Sequence, residues 1–198
     1  MYNVNMKKLI TLFIVLFCLK NVVFAVSNNQ LKDEGVMLYS INKINEAKET
    51  FEKIPFEERD AETWLLLSNI AQDLQDDGNV EVYLRYALNK NPKYYKAYYN
   101  LGILDFNNGR IDEAISNFKT AQKYNRKNSY IFTNLGCCYL AKKNLTIARI
   151  YFNKAVTLNS QNPTNYYNLA YIYKEHKKEK KAQELLDIYN KLMQEKVD

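Results

Sequence analysis

The chain has 198 residues, 47% of them hydrophobic, and only 5 Gly and 3 Pro, too few for a loop-rich sandwich or barrel, so long helices are expected. Its formal net charge is +6. Three of those charges, Lys7, Lys8 and Lys20, stand in an acid-free stretch of the first 25 residues, so the remainder carries about +3, an ordinary surface that excludes a dedicated nucleic-acid binder.

The N-terminal segment comes first. Lys7-Lys8 precedes an uncharged run from Leu9 to Leu19, followed by Lys20-Asn21 and Val22-Val23-Phe24-Ala25. A positive start, a short apolar run and small residues at Val23 and Ala25 predict a signal peptide over residues 1–25, cut after Ala25. As a helix the apolar run would span about 16 Å, roughly half a bilayer core. The expected location is therefore exported, periplasmic or secreted. The alternative is an uncleaved membrane anchor from Leu9 to Val26, with Lys20 snorkelling. A lipid-attachment signal needs a small residue before Cys18, and Phe17 stands there. Cys137 and Cys138 are adjacent and cannot form a disulfide framework.

Residues 26–60 predict a helical hairpin of their own. Gly35, Ala47, Phe51 and Ile54 place two small residues, an aromatic and an apolar residue 12, 4 and 3 positions apart. Residues 61–198 then repeat this pattern every 34 residues, from starts near 61, 95, 129 and 163. Leu67, Leu101, Leu135 and Leu169 form one series; Val80, Ala114, Ala148 and Ala182 form another. Leu84, Phe118, Phe152 and Leu186 form a third, followed by Ala87, Ala121, Ala155 and Tyr189. Each Leu of the first series precedes a small residue (Ser68, Gly102, Gly136, Ala170) and follows an aromatic by three (Trp64, Tyr98, Phe132, Tyr166). Trp64, Leu67, Ser68 and Ala71 stripe one face of a first helix; Val80, Leu84 and Ala87 stripe a second. Short polar turns such as Asn107-Asn108-Gly109 make the two helices antiparallel neighbours. One hairpin leaves apolar surface bare, and the next covers it.

These residues resemble the tetratricopeptide repeat family. Tyr98, Leu101, Gly102, Gly109, Ala114, Phe118 and Ala121 carry the resemblance in one repeat; Phe132, Leu135, Gly136, Tyr139, Ala148, Phe152 and Ala155 carry it in the next. The implied fold is all-α, a right-handed α-solenoid of antiparallel helix pairs, with residues 26–60 as a degenerate capping hairpin. Two departures stand out: Val80 replaces a small residue, and Gly78 falls three places beyond the family's turn glycine, so the first regular hairpin is expected to pack differently. At the other end, the apolar edge of Leu185, Ile188 and Leu192 either caps the array or meets another molecule, including a second copy through this C-terminal helix.

In the family the first helices line a concave groove that holds a peptide segment or a partner helix. Carried over by position, the resemblance places Leu65, Asn69, Tyr99, Asn100, Ile103 and Phe106 there, then Thr133, Asn134 and Cys137, then Tyr167, Asn168 and Tyr171. Asn100, Asn134 and Asn168 recur at 34 residues, either as a ladder of amides for a ligand or as braces between helices. Family members that clamp a C-terminal carboxylate use basic residues at positions held here by Leu65, Tyr130 and Asn134, so that specialised role is excluded.

Catalytic chemistry finds no foothold. His176 is the single histidine, HExxH, GxSxG, P-loop and GxGxxG motifs are absent, and Cys137 lacks a basic partner. No cofactor and no metal are expected. Acid pairs such as Asp76-Asp77, Glu57-Glu58 and Asp112-Glu113 stand at turns or helix starts, where they favour the positive end of the dipole. Lys174, Lys177, Lys178, Lys180 and Lys181 form either a solvated turn or a contact for acidic envelope polymers and headgroups. The reading is a non-catalytic scaffold of the cell envelope with a protein or peptide partner and no nucleic acid. Glycan binding in the aromatic groove, and a role for the C-terminal edge in an assembly, are its alternatives.

Overall fold

A computed structural model describes residues 28–195, which form ten α-helices, one 3-10 turn and no strand. The expected signal peptide, residues 1–25, lies outside the described residues. No helix among the described residues is long and apolar enough to cross a membrane. Two compact units divide between Lys90 and Asn91. Unit 1 contains α1 (28–40), α2 (Ile44–Glu52), the 3-10 turn Phe56–Glu58, α3 (Ala61–Asp73) and α4 (Asp77–Lys90). Unit 2 contains α5 (Tyr95–Asn107), α6 (Ile111–Tyr124), α7 (Ser129–Ala141), α8 (Leu145–Leu158), α9 (Pro163–Glu175) and α10 (Glu179–Gln194).

Local chemistry sets the helix ends. Asp60 caps α3 by accepting from the Thr63 N–H at 2.8 Å, Asn128 and Asn162 cap α7 and α9, and Pro163 opens α9 where no N–H is needed. Each odd-numbered helix closes with one residue in the left-handed region: Asn42, Gln75, Gly109, Lys143 and Lys177. Two backbone bonds complete each turn. After α7 the N–H of Lys143 donates to the Leu140 carbonyl and that of Asn144 to Tyr139, both at 2.8 Å. Gln75 fills this role after α3, which explains why Gly78, inside α4, is not the turn glycine. Each even-numbered helix from α4 to α8 is followed by an Asn whose side chain folds back. Asn91, Asn125 and Asn159 accept from the N–H groups of Lys93, Lys127 and Gln161 at 3.0, 3.1 and 3.0 Å.

The pairs are held by a close fit between a small residue and a ring. A Cβ added to Gly35, Gly102 or Gly136 would stand 2.6–2.7 Å from the ring of Phe51, Phe118 or Phe152, each 16 residues later. The glycines let these rings lie against backbone, and all three are almost completely buried. Burying one such side chain stabilises by about 1.5–3 kcal/mol. Where the later residue is Leu84 or Leu186, the earlier one is Ser68 or Ala170, so ring and methyl trade space. Leu67, Leu101, Leu135 and Leu169 are buried at 1%, 7%, 0% and 2%, the sheltered equivalence that the period demands.

Unit 1 departs from this plan around Trp64. Its ring is 1% exposed and sits 4.9 Å from Phe56, 4.8 Å from Tyr86 and 5.6 Å from Tyr83, centroid to centroid. Arg59 lies over it at 4.9 Å while donating to the Ile54 and Glu52 carbonyls, which ties the end of α2 to α3. The Ser68 hydroxyl donates to the Val80 carbonyl at 3.3 Å. At the other end, Leu185 and Leu192 are buried by the chain itself, and of the expected apolar edge only Ile188 is exposed.

Candidate functional site

The odd-numbered helices of unit 2 bring most of the expected groove residues onto neighbouring positions. Tyr99 on α5 is half-buried, with its ring 5.8 Å from Phe118. Burial pushes its hydroxyl above the ordinary tyrosine range; the Asn134 amide opposes the shift and Tyr130 adds to it. Tyr99, Tyr130 and Asn134 therefore meet where α5 faces α7. Ile103 and Phe106 are partly buried and packed against the core of Phe118 and Leu135. Asn100 is partly buried and interacts within the fold.

Between α7 and α9 the link is buried. The Thr133 hydroxyl donates to Asn165 Oδ1 at 2.9 Å, and Thr133 is 7% exposed. Asn165 is fully buried, and its Nδ2 has no partner among the described residues. Cys137 is partly buried against the core of Phe152 and Leu169, and burial raises its thiol pKa. Cys138 is fully buried, its pKa raised to about 12, so neither thiol is a ready nucleophile. Asn168 is partly buried. Tyr167 and Tyr171 on α9 are open to solvent, and so is Tyr130 on α7. In unit 1, Leu65 is buried and Asn69 is partly buried with an interaction of its own.

Within the amide ladder, Asn134 faces a phenol of the neighbouring repeat, a brace across helices. Two features escaped the reading of the sequence. Tyr130 is as exposed as Tyr167, and its place two residues into α7 was the available signal. Asp105 is 6% exposed where the repeat-equivalent positions hold Tyr139 and Tyr173. It accepts from Arg110 at 2.9 and 2.6 Å and from Asn117 at 2.7 Å, joining α5 to α6. An Asp in a column that otherwise holds Ala71, Tyr139 and Tyr173, with Arg five residues on, was the signal there. The expected basic turn is exposed at all five lysines, and Lys181 pairs with Glu184 at 2.9 Å. No cluster of metal-ligating residues occurs among the described residues.

Comparison with known proteins agrees with the period. Residues 99–163 match a family model described as tetratricopeptide repeat. Anaphase-promoting complex subunit 3 of Schizosaccharomyces pombe is 31% identical over 77 residues, which is 39% of this chain and 12% of that protein. The chain thus spans about an eighth of that curated relative. Among solved structures, one of PilF from Pseudomonas aeruginosa aligns at a TM-score of 0.76 and 20% identity, over 85% of this chain and 77% of that one. One of MamA from Desulfovibrio magneticus aligns at 0.73 and 15%, over 85% and 96%. At such identities the likeness is one of fold. Residues 99–163 thus match the tetratricopeptide repeat, and the 34-residue register and the repeated Gly–Phe fit give the helix pairs outside that stretch the same fold, one that generally supports protein–protein interaction.

Proposed function

We propose that this chain is an exported, non-catalytic adaptor of the cell envelope, and that unit 2 holds a peptide segment or helix of a partner protein on α7 and α9. The observation that carries the reading is the exposure of Tyr130, Tyr167 and Tyr171, at 54%, 54% and 46%, on helices whose other face is locked into the core. Tyrosine offers a rigid, amphipathic contact area at low entropy cost, which suits it to a binding surface. Thr133–Asn165 and Asn134–Tyr99 hold the helices under these rings, so the surface is set before a partner arrives. The export part rests on the pattern of residues 1–25.

Removing the exposed rings tests the reading. Tyr130→Ala, Tyr167→Ala and Tyr171→Ala together should leave helicity unchanged, because none of the three is buried. Partner recovery by crosslinking in the native envelope and mass spectrometry should fall about tenfold or more, as loss of about 1.4 kcal/mol or more of hot-spot contact requires. Equal recovery would remove this face from the function. Recovery on purified cell wall that is lost in the same variant would transfer the face to a glycan ligand.

A further inference from the structure

The two units carry opposite charge. Residues 28–90 hold 13 acidic and 7 basic residues, a net −6, and residues 91–195 hold 17 basic and 8 acidic, a net +9. The modest overall charge conceals this division. It is steepest from Ala114 to Lys174, where nine basic residues meet no acid at all. Local pairing consumes Arg110, Lys142, Lys181 and Lys191 in unit 2. Lys119, Lys123, Arg126, Lys127 and Lys154 are exposed and have no ion pair among the described residues. In unit 1 the same is true of Asp33, Glu34, Glu49 and Glu58. Helix dipoles account for part of the pattern, since Lys123 lies in the last turn of α6. They do not account for Arg126 and Lys127, which precede the positive N-terminal end of α7.

We infer that the basic surface of unit 2 docks the acidic unit 1 of a second copy, head to tail. The chain supplies both halves of the interface, and opposite potentials steer such encounters and set their orientation. The two charged surfaces differ, so the contact is heterologous and can repeat from copy to copy. Association therefore continues past the dimer, to a ring or an open chain. This inference does not depend on the tyrosine face.

Sedimentation velocity of the purified chain tests it. In about 10 mM salt, where the screening length is about 30 Å, the sedimentation coefficient should climb with protein concentration; in about 1 M salt, where it is about 3 Å, the climb should vanish. Lys119→Glu, Lys123→Glu, Arg126→Glu and Lys127→Glu together should give a monomer at low salt, and so should Asp33→Lys, Glu34→Lys and Glu49→Lys together. An equimolar mixture of the two variants should associate again, since each repairs the other's lost complement. Circular dichroism checks that both remain helical. A wild-type monomer at every low-salt concentration overturns the inference, as does association that Ile188→Lys abolishes while the charge reversals do not. A monomer that pelets only with vesicles containing phosphatidylserine assigns the basic surface to lipid and equally overturns it.

Discussion

A Cβ on Gly136 would meet the Phe152 ring at 2.6 Å, a distance that real Cβ contacts do not tolerate. Alanine favours a helix interior over glycine by about 1 kcal/mol, but forcing a methyl into a packed site costs about 1–3 kcal/mol. Gly136→Ala should therefore lower stability in urea unfolding despite its better propensity. Phe152→Leu made alongside should recover much of the loss, because the chain already pairs Ala170 with Leu186 in this way. A coupling energy near zero in that double-mutant cycle would sink the account. The opposite lesson comes from Asn165, fully buried with one unpartnered amide group in a column that otherwise holds Thr63, Ala97 and Ile131. Singular residues of this kind, Asp105 included, break the column that makes the repeat visible, so periodicity does not reveal their roles.

At the scale of helices, the start of α3 is a charged junction. Asp60 accepts from Thr63 and from Lys32 on α1, and Lys32 also reaches Glu62 at 2.7 Å. Burial alone would raise the Asp60 pKa, but the bonds from Lys32 and Thr63 outweigh it and hold the carboxyl below its ordinary value. A depressed carboxyl pKa contributes stability that is present above the unfolded value of about 3.9 and lost as pH falls through the lower, folded value. Lys32 is shifted upward, with burial opposing and the two carboxylates prevailing, so its share is lost only as pH rises past the lysine range. Hydrogen exchange should accordingly show α1 losing protection as pH drops below about 4. Asp60→Asn keeps a capping oxygen and should flatten that dependence. The helices themselves were readable from stripe and spacing. The turns between them were readable as short polar stretches, but the left-handed residue inside each was not, because Lys143 and Lys177 stand where glycine would have announced it.

Across the whole molecule, a 34-residue register made the fold legible, since each column repeats one packing demand and agreement between columns is hard to reach by chance. The site was less legible because position on a helix does not tell how far a ring projects. Tyr99 and Tyr167 hold equivalent places, yet one is half-buried against Phe118 and the other is 54% exposed. The charge division between the units was equally open to reading, but a net value averaged over the chain erased it. Export makes its own prediction at this scale. Terminal sequencing of the protein recovered from cells should begin at Val26; a start at Met1 would replace the cleaved leader with an anchor.

The asparagine turns carry one more implication. Asn91, Asn125 and Asn159 bend the chain in the same manner, and the Gly102–Phe118 and Gly136–Phe152 fits each lie wholly between two such bends. A segment excised from residue 125 to 158 would thus remove one complete hairpin and rejoin chemically matching ends. Gene duplication or loss in steps of this length can change the reach of the array without disturbing any fit inside the pieces that remain.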